Sequence, residues 1–145
     1  MVAFAAPLAR TLCRVAVPHD SLFAGVIPAS LALPGGLASR ERLVRISFER
    51  IRHIASRRPE WLIFCLAHMA GVLGDPEFLG YRPLNLLRRV EFVRHVGPDG
   101  HLLHVAVKLL DEVGEAWVAT VHPARADYLT RRLRAGTMHH VRRGP

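Results

Sequence analysis

Three strand-like runs occupy residues 87–122, which read LRRVEFVRHVGPDGHLLHVAVKLLDEVGEAWVATVH. Valine, leucine and aromatic residues dominate these runs, and we predict three strands, Leu87–Val96, His101–Leu110 and Glu115–His122. The connectors at 98–100 and 112–114 each place glycine third, where a hairpin loop needs a left-handed backbone that glycine adopts without steric cost. Two successive hairpins predict an antiparallel meander.

The loop lengths set the expected register of this meander. Three-residue loops pair Arg94 with His104 across the first hairpin, and Ala106 with Thr120 and His104 with His122 across the second. Side chains alternate along a strand, so this register separates two faces. The apolar face, expected to receive helices, carries Val93, Leu103, Val105, Val107, Leu109, Trp117, Ala119 and Val121. The other face carries Arg88, Val90, Phe92, Arg94, His104, Ala106, Lys108, Val118, Thr120 and His122.

The polar groups of the second face favour an anionic ligand. Cationic Arg88, Arg94 and Lys108 lie there beside two imidazoles, whereas a face that is only solvated is expected to mix in serine, glutamate and glutamine. Phe92 offers a ring on which a base can stack. We therefore predict a nucleic-acid-binding face, and a solvated face without function is the alternative. If either loop differs by one residue from the assumed length, these residues no longer share one face.

Two helices are predicted before the meander and one after it. Apolar residues recur at helical spacing from Phe48 onward, directly after Ser47, a residue type that caps helix N termini. Pro59 fits the first turn of a second helix, which is apolar nearly all round and is therefore expected to be buried. Gly74 ends this helix. Residues 124–134 are expected to form a short amphipathic helix.

These elements predict an α+β fold with two N-terminal helices packed on an antiparallel meander of three to four strands and a short C-terminal helix. The 145 residues suffice for one core. We assign residues 1–40 to an irregular apolar leader, 41–136 to the α+β domain and 137–145 to a basic tail. Prolines and glycines interrupt the uncharged stretch Ser21–Ala38, so we expect no membrane span there.

Composition narrows the classes of function. Lysine and arginine number 20 against 12 acidic residues, a net charge of +8 that implies affinity for polyanions. Cys13 and Cys65 are far apart and lack CxxC spacing, which indicates a reducing, cytoplasmic location without a disulfide framework. The sequence has neither an HExxH motif nor a glycine-rich phosphate loop, so we predict no metal and no cofactor.

His53 lies on the solvated side of the first predicted helix. The helical wheel places it nearly opposite Phe48 and Ile54, which face the core. Glu49, one turn earlier, favours the charged imidazole, whereas Arg57, one turn later, opposes it. A histidine that titrates near neutrality suits proton transfer, and an ordinary surface histidine is the alternative.

Four short segments between residues 46 and 123 occur in a characteristic order: ISFERIRHI at 46–54, RRPE at 57–60, DP at 75–76 and VAT at 118–120. Their order and spacing resemble the phage- and toxin-associated nucleases of the barnase–EndoU–colicin–RelE superfamily. The resemblance implies that His53, a strand cation best matched by Lys108, and the Thr120 hydroxyl belong to the site. Arg58 precedes Pro59 where histidine is common in that family, so a second imidazole is absent there.

Metal-independent RNA cleavage needs a base, an acid and cations that stabilise the phosphorane. The expected catalytic residues are His53, His104, His122, Lys108 and Thr120. The expected nucleic-acid contacts are Arg57, Arg88, Arg94 and Phe92. Which histidine is base and which is acid stays open. We predict an endoribonuclease of toxin or phage type that acts on RNA and has an antitoxin or immunity protein as partner. The alternatives are a non-catalytic nucleic-acid-binding module and an interaction domain for an acidic partner.

Overall fold

The computed structural model describes residues 20–84, 87–110 and 115–141. Seven strands and three helices follow one another in this part of the chain: β1 (Ser21–Ile27), β2 (Arg42–Ser47), α1 (Phe48–Arg57), α2 (Leu62–Gly74), β3 (Phe78–Leu84), β4 (Leu87–Val96), β5 (His101–Leu110), β6 (Glu115–Ala124), α3 (Ala126–Arg134) and β7 (Met138–His140). A single 3₁₀ turn, Pro59–Trp61, joins α1 to α2. No helix among these residues is long and apolar enough to cross a bilayer.

The strands form one mixed seven-stranded sheet in the order β1-β2-β6-β5-β4-β3-β7. Only the β2–β6 pair is parallel, and all other neighbours are antiparallel. The predicted fold, with N-terminal helices on a meander of three to four strands, is therefore wrong. Two strands precede the helices, and four strands join the meander at its sides.

Two of the four missed strands, β1 and β3, have weak sequence signals. In β1 a bulge between Phe23 and Gly25 interrupts the alternation of side chains, while β3 contains Gly80 and Pro83, residue types that weaken strand predictions. The expected irregular leader includes β1, and the expected tail includes β7, which pairs with β3. Residues 1–19 and 142–145, which also belong to those segments, lie outside the described residues.

The predicted helices occur close to their expected bounds. The Ser47 hydroxyl caps α1 by accepting a hydrogen bond from the Arg50 backbone N–H at 3.1 Å. Helix α2 packs one side against the sheet through Cys65, Met69, Val72 and Leu73. Its other side is open, and Ile63 is 75% exposed, so the expectation that this helix is buried all round was wrong. Helix α2 therefore lies at the surface and has an apolar outer side.

The first hairpin departs from the expected register by one residue. The turn spans the four residues Gly97–Gly100, with the Gly100 N–H donating to the Gly97 carbonyl at 3.2 Å. Because the turn is one residue longer than expected, His104 pairs with Val93 instead of Arg94. Every side chain of β4 thereby lies on the face opposite to the one predicted.

In the second hairpin a bulge restores the expected pairing. Lys108 pairs with Trp117, whereas the predicted pairing of Ala106 with Thr120 would place Lys108 opposite Val118. The described pairing then skips Ala119, so Ala106 pairs with Thr120 and His104 with His122 as predicted. A bulge of this kind reverses which face the later residues of the strand point to.

The sheet is covered unequally on its two faces. Helices α1 and α2 lie on the apolar face over a core of Val90, Phe92, Leu103, Val105, Val107, Leu109, Ala116, Val118 and Val121. On the opposite face α3 covers one end through a second apolar cluster of Phe78, Val93, Leu102, Leu129 and Met138. The predicted polar face is therefore open only over the part that α3 does not reach.

Candidate active site

A cleft forms where the parallel pairing of β2 with β6 stops. The pairing comprises Val44 with Ala116 and Arg45 with Trp117, after which the chain turns at Ser47 into α1. In the described structure, the edge of β6 beyond Trp117 therefore faces α1 instead of another strand. A cavity of about 140 Å³ lies between this helix and this edge.

The polar lining of the cleft is cationic and includes two imidazoles. The side chains concerned are those of Arg50, His53, Arg57, Arg58, Thr120 and His122. The apolar residues Ile54, Trp61, Cys65, Val121 and Pro123 complete the lining. Burial raises the pKa of the Cys65 thiol to about 11, so this sulfur is a neutral thiol at physiological pH.

Helical spacing explains why three of these groups line one wall. Arg50, His53 and Arg57 follow one another at intervals of three and four residues, so α1 presents them on one side. Arg50 and His53 also border an open groove of about 590 Å³ on the outer side of the helix. The cleft therefore continues around α1 onto a broader surface.

His122 is held in one orientation by two contacts. Its ring stacks on His104 with a centroid distance of 4.7 Å and an interplanar angle of 17°. Its Nδ1 lies 3.0 Å from the Pro123 carbonyl oxygen. A carbonyl only accepts hydrogen bonds, so Nδ1 carries the proton and Nε2 keeps its lone pair in the neutral ring.

The surroundings of His122 favour its neutral form. The ring has an exposed edge, but the atoms around it remove enough water to lower its pKa below the usual value. The positive charges of His104 and Arg58 lower this pKa further, while the Pro123 hydrogen bond and the Glu91 charge offset part of the shift. His122 is therefore suited to accept a proton near neutral pH.

A buried polar cluster supports the ring of His104 from behind. Arg132 Nη2 donates to Glu91 Oε2 at 2.5 Å, and His104 Nε2 lies 3.4 Å from Glu91 Oε1, a distance too long for a strong hydrogen bond. Arg82 Nε lies 3.3 Å from the same carboxylate. Burial alone would raise the pKa of Glu91, but the neighbouring His104, together with the hydrogen bond and charge of Arg132, lowers it to about 2.

Four of the predicted site residues come together in the cleft: His53, Arg57, Thr120 and His122. His104 is buried behind His122 and is not open to a ligand. Lys108 lies on the same sheet face as His104, in a cross-strand row with Trp117 and Arg89, and does not line the cleft.

The remaining predicted nucleic-acid contacts lie elsewhere. Phe92 is fully buried in the core beneath the helices, so the expectation that it stacks on a base was wrong. Arg94 binds Asp75 at the end of α2, with Nη1 2.8 Å from Oδ2. Arg88 is exposed on β4, opposite Leu109. The extra turn residue of the first hairpin is the common cause, because it reverses the faces of β4.

Sequence reasoning missed two cations of the cleft, Arg50 and Arg58, and the buried cluster around Glu91. Arg50 was identifiable because it precedes His53 by three residues on the same helix. Glu91 was identifiable as a lone carboxylate between the apolar residues Val90 and Phe92, and a carboxylate requires a partner when buried. Arg132 provides that partner from α3, and no local pattern indicates a contact between residues 41 positions apart.

Neither a scan of protein-family models nor comparisons with curated proteins and solved structures finds a match to this chain. The likeness to the barnase–EndoU–colicin–RelE nucleases therefore rests on the four segments quoted above. Among the described residues, no three histidine, cysteine or acidic side chains converge as metal ligands would.

Proposed function

We propose that this chain is a metal-independent endoribonuclease whose active site is the cleft between α1 and the edge of β6. The observation that carries the proposal is the content of the cleft. Two imidazoles, one hydroxyl and three guanidinium groups line one small cavity, and these are the groups that transfer of a ribose phosphodiester requires. His53 and Thr120, which the nuclease resemblance selects, both belong to this set.

The size of the cleft fits the reacting group. A volume of about 140 Å³ equals that of four or five water molecules at roughly 30 Å³ each. The phosphodiester and its nearest oxygens fit in such a space, whereas the bases on either side must lie outside it. The open groove on the outer side of α1 offers a continuation for the chain of phosphates.

His122 acts as the base in this mechanism. Its neutral ring presents the Nε2 lone pair, because Nδ1 is engaged with the Pro123 carbonyl. Nε2 removes the proton of the 2′-hydroxyl, and the 2′-oxygen attacks phosphorus to form the 2′,3′-cyclic phosphate. His53 stands on the opposite wall and gives its proton to the departing 5′-oxygen as the P–O5′ bond breaks, which places the two imidazoles at opposite ends of an in-line displacement.

The remaining lining groups stabilise charge. Arg50, Arg57 and Arg58 face the phosphorane, whose non-bridging oxygens carry the developing negative charge. The Thr120 hydroxyl donates a hydrogen bond to one of these oxygens. Because the mechanism consumes the 2′-hydroxyl, DNA of the same sequence is not a substrate. Action as a toxin, an antitoxin or immunity protein as partner and a cytoplasmic location stay predictions.

The test is incubation with single-stranded RNA in excess chelator, with DNA of the same sequence alongside. We expect cleavage products that end in cyclic phosphate, and a 10²- to 10⁴-fold loss of rate in His122→Ala and in His53→Ala, the usual contribution of one acid or base, about 3–5 kcal/mol. His139→Ala is the matched control, since this exposed histidine lies on β7, about 19 Å away across four strand spacings. Intact RNA after incubation with the unsubstituted protein would refute the nuclease activity and favour a non-catalytic nucleic-acid-binding module.

A further inference from the structure

The open part of the sheet carries a continuous row of cross-strand neighbours. Phe23 pairs with Arg45, Arg45 with Trp117, Trp117 with Lys108, and Lys108 with Arg89. We call these five residues the sheet row. It crosses five adjacent strands and alternates aromatic rings with cations at one end, then continues with two cations.

All five side chains lie on the face opposite to α1 and α2. The chain neighbours of these residues, among them Ile46, Val107 and Val118, point into the core beneath the helices. Because successive side chains of a strand point to opposite faces, the row points away from that core. The second apolar cluster shows that α3 covers the other end of this face, over Val93 and Leu102.

The row is accessible and rich in apolar surface. Phe23 is 60% exposed, and Leu43 on the same face is 56% exposed. Arg45, Trp117, Lys108 and Arg89 are half-buried. An exposed aromatic and aliphatic patch on a sheet marks a binding surface more often than a solvated one.

Charge identifies the ligand as an anion. Within the described residues, neither Arg89 nor Lys108 has a carboxylate partner, and Arg45 contacts only the Ser21 hydroxyl, at 3.4 Å. Glu115, on the same face, accepts a hydrogen bond from Trp117 Nε1 at 3.1 Å and so fixes the indole. Rings interleaved with cations suit a ligand that offers flat apolar faces and negative charges in alternation, which is the chemistry of unpaired nucleotides.

The row lies next to the proposed active site. Trp117 precedes Thr120 by three residues on β6, about 10 Å along the strand. The cleft holds a phosphodiester but not the bases beside it. We propose that the sheet row binds single-stranded RNA, stacking bases on Trp117 and Phe23 and contacting phosphates through Arg45, Lys108 and Arg89. This inference rests on the proposed function for RNA as the substrate and adds that the RNA is unpaired.

The binding test uses a fluorescein-labelled 2′-O-methyl oligoribonucleotide, which lacks the hydroxyl that cleavage requires. In fluorescence anisotropy, Trp117→Leu and Phe23→Leu should each raise Kd roughly 5- to 150-fold, the usual loss for one stacked base. Ile63→Leu, at an exposed apolar position on the other face, is the control and should leave Kd unchanged. A duplex of the same length should compete poorly, because its bases are already stacked on one another.

A second readout separates stacking from loss of fold. In Trp61→Phe, Trp117 is the remaining indole, and its fluorescence should be quenched when the oligonucleotide binds. Unchanged fluorescence in Trp61→Phe, together with an unchanged Kd in Trp117→Leu, would overturn the sheet row as a binding surface, even if RNA is cleaved. Binding that depends on Trp117 without any cleavage would support the row and refute the nuclease. A dimer that Phe23→Ser dissociates would show that a second copy covers this face, and would overturn the inference.

Discussion

At the scale of single residues, the character of His122 comes from its neighbours. His104 stacks on one side of the ring, and the Pro123 carbonyl fixes the proton on Nδ1. Arg58, across the cleft, adds a positive charge that lowers the His122 pKa. The same arginine thus has two roles in the proposed mechanism, since it stabilises the phosphorane and keeps the base neutral.

This double role of Arg58 predicts a shift in pH dependence. Arg58→Gln removes a charge that opposes protonation, so the His122 pKa should rise. Because a base acts only in its neutral form, the acidic limb of the kcat/KM profile should move to higher pH. Titration of the His122 resonance by NMR should show the same direction. Arg134→Gln, exposed on α3, is the control, and an unmoved limb in Arg58→Gln would contradict the role of His122 as base.

The ionisation of Glu91 makes the free energy of unfolding depend on pH. Its pKa is about 2 in the folded chain and near 4.5 in the unfolded chain, so it stabilises the fold above pH 4.5 and loses this effect as the pH falls toward 2. Glu91→Gln leaves Arg132 buried without its carboxylate and should cost about 3–5 kcal/mol of unfolding free energy. Urea unfolding measures both effects. The double variant Glu91→Met/Arg132→Met should be less destabilised than Glu91→Gln, because it removes both charges.

At the scale of elements, the cleft exists because one strand pairing is short. Strand β2 runs beside β6 for two pairs only, and the Ser47 cap turns the chain into a helix at that point. The α1 helix then occupies the position that further strand residues would take. The candidate site thus lies at the junction of a strand and a helix, without a dedicated loop.

The connection between β1 and β2 packs against Tyr81 of β3. A Cβ built on Gly35 would lie 2.5 Å from Tyr81 Cζ, whereas one on Gly36 meets nothing within 4 Å. Both glycines have positive φ values, 75° and 71°, so alanine strains the backbone equally at either position. Gly35→Ala should therefore lower the melting temperature more than Gly36→Ala. Equal melting temperatures would show that the connection does not pack on β3 in solution.

At the scale of the whole molecule, the net charge of +8 should govern RNA affinity through salt. Each phosphate contact to a single strand contributes about 0.7 to the slope of log Kd against log salt concentration. Lys108→Ala and Arg89→Ala should each reduce this slope by that amount. Arg134→Ala, equal in charge but on α3, should leave the slope unchanged. A uniform reduction in all three variants would indicate diffuse attraction instead of contacts in the sheet row.

Sequence reasoning located the meander, the capped α1 and four groups of the cleft, His53, Arg57, Thr120 and His122, because periodicity and turn residues are local signals. It did not locate β1, β2, β3 and β7, whose strand character depends on neighbours distant in sequence. It placed Phe92 on the wrong face because glycine-containing turns of three and four residues look alike in sequence. The sequence also did not indicate which half of the sheet face is open, because α3 covers the other half only through tertiary contacts.

The bulge at Ala119 has a consequence for how recognition and chemistry are combined. In an uninterrupted strand, residues three apart point to opposite sides, so Trp117 and Thr120 would be separated by the thickness of the sheet. The inserted residue turns Thr120 and His122 to the side of Trp117. In the proposed enzyme, one additional peptide unit thus lets β6 bind RNA near its first residues and cleave it near its last ones, and deleting that unit would leave the two proposed functions on opposite faces of the sheet.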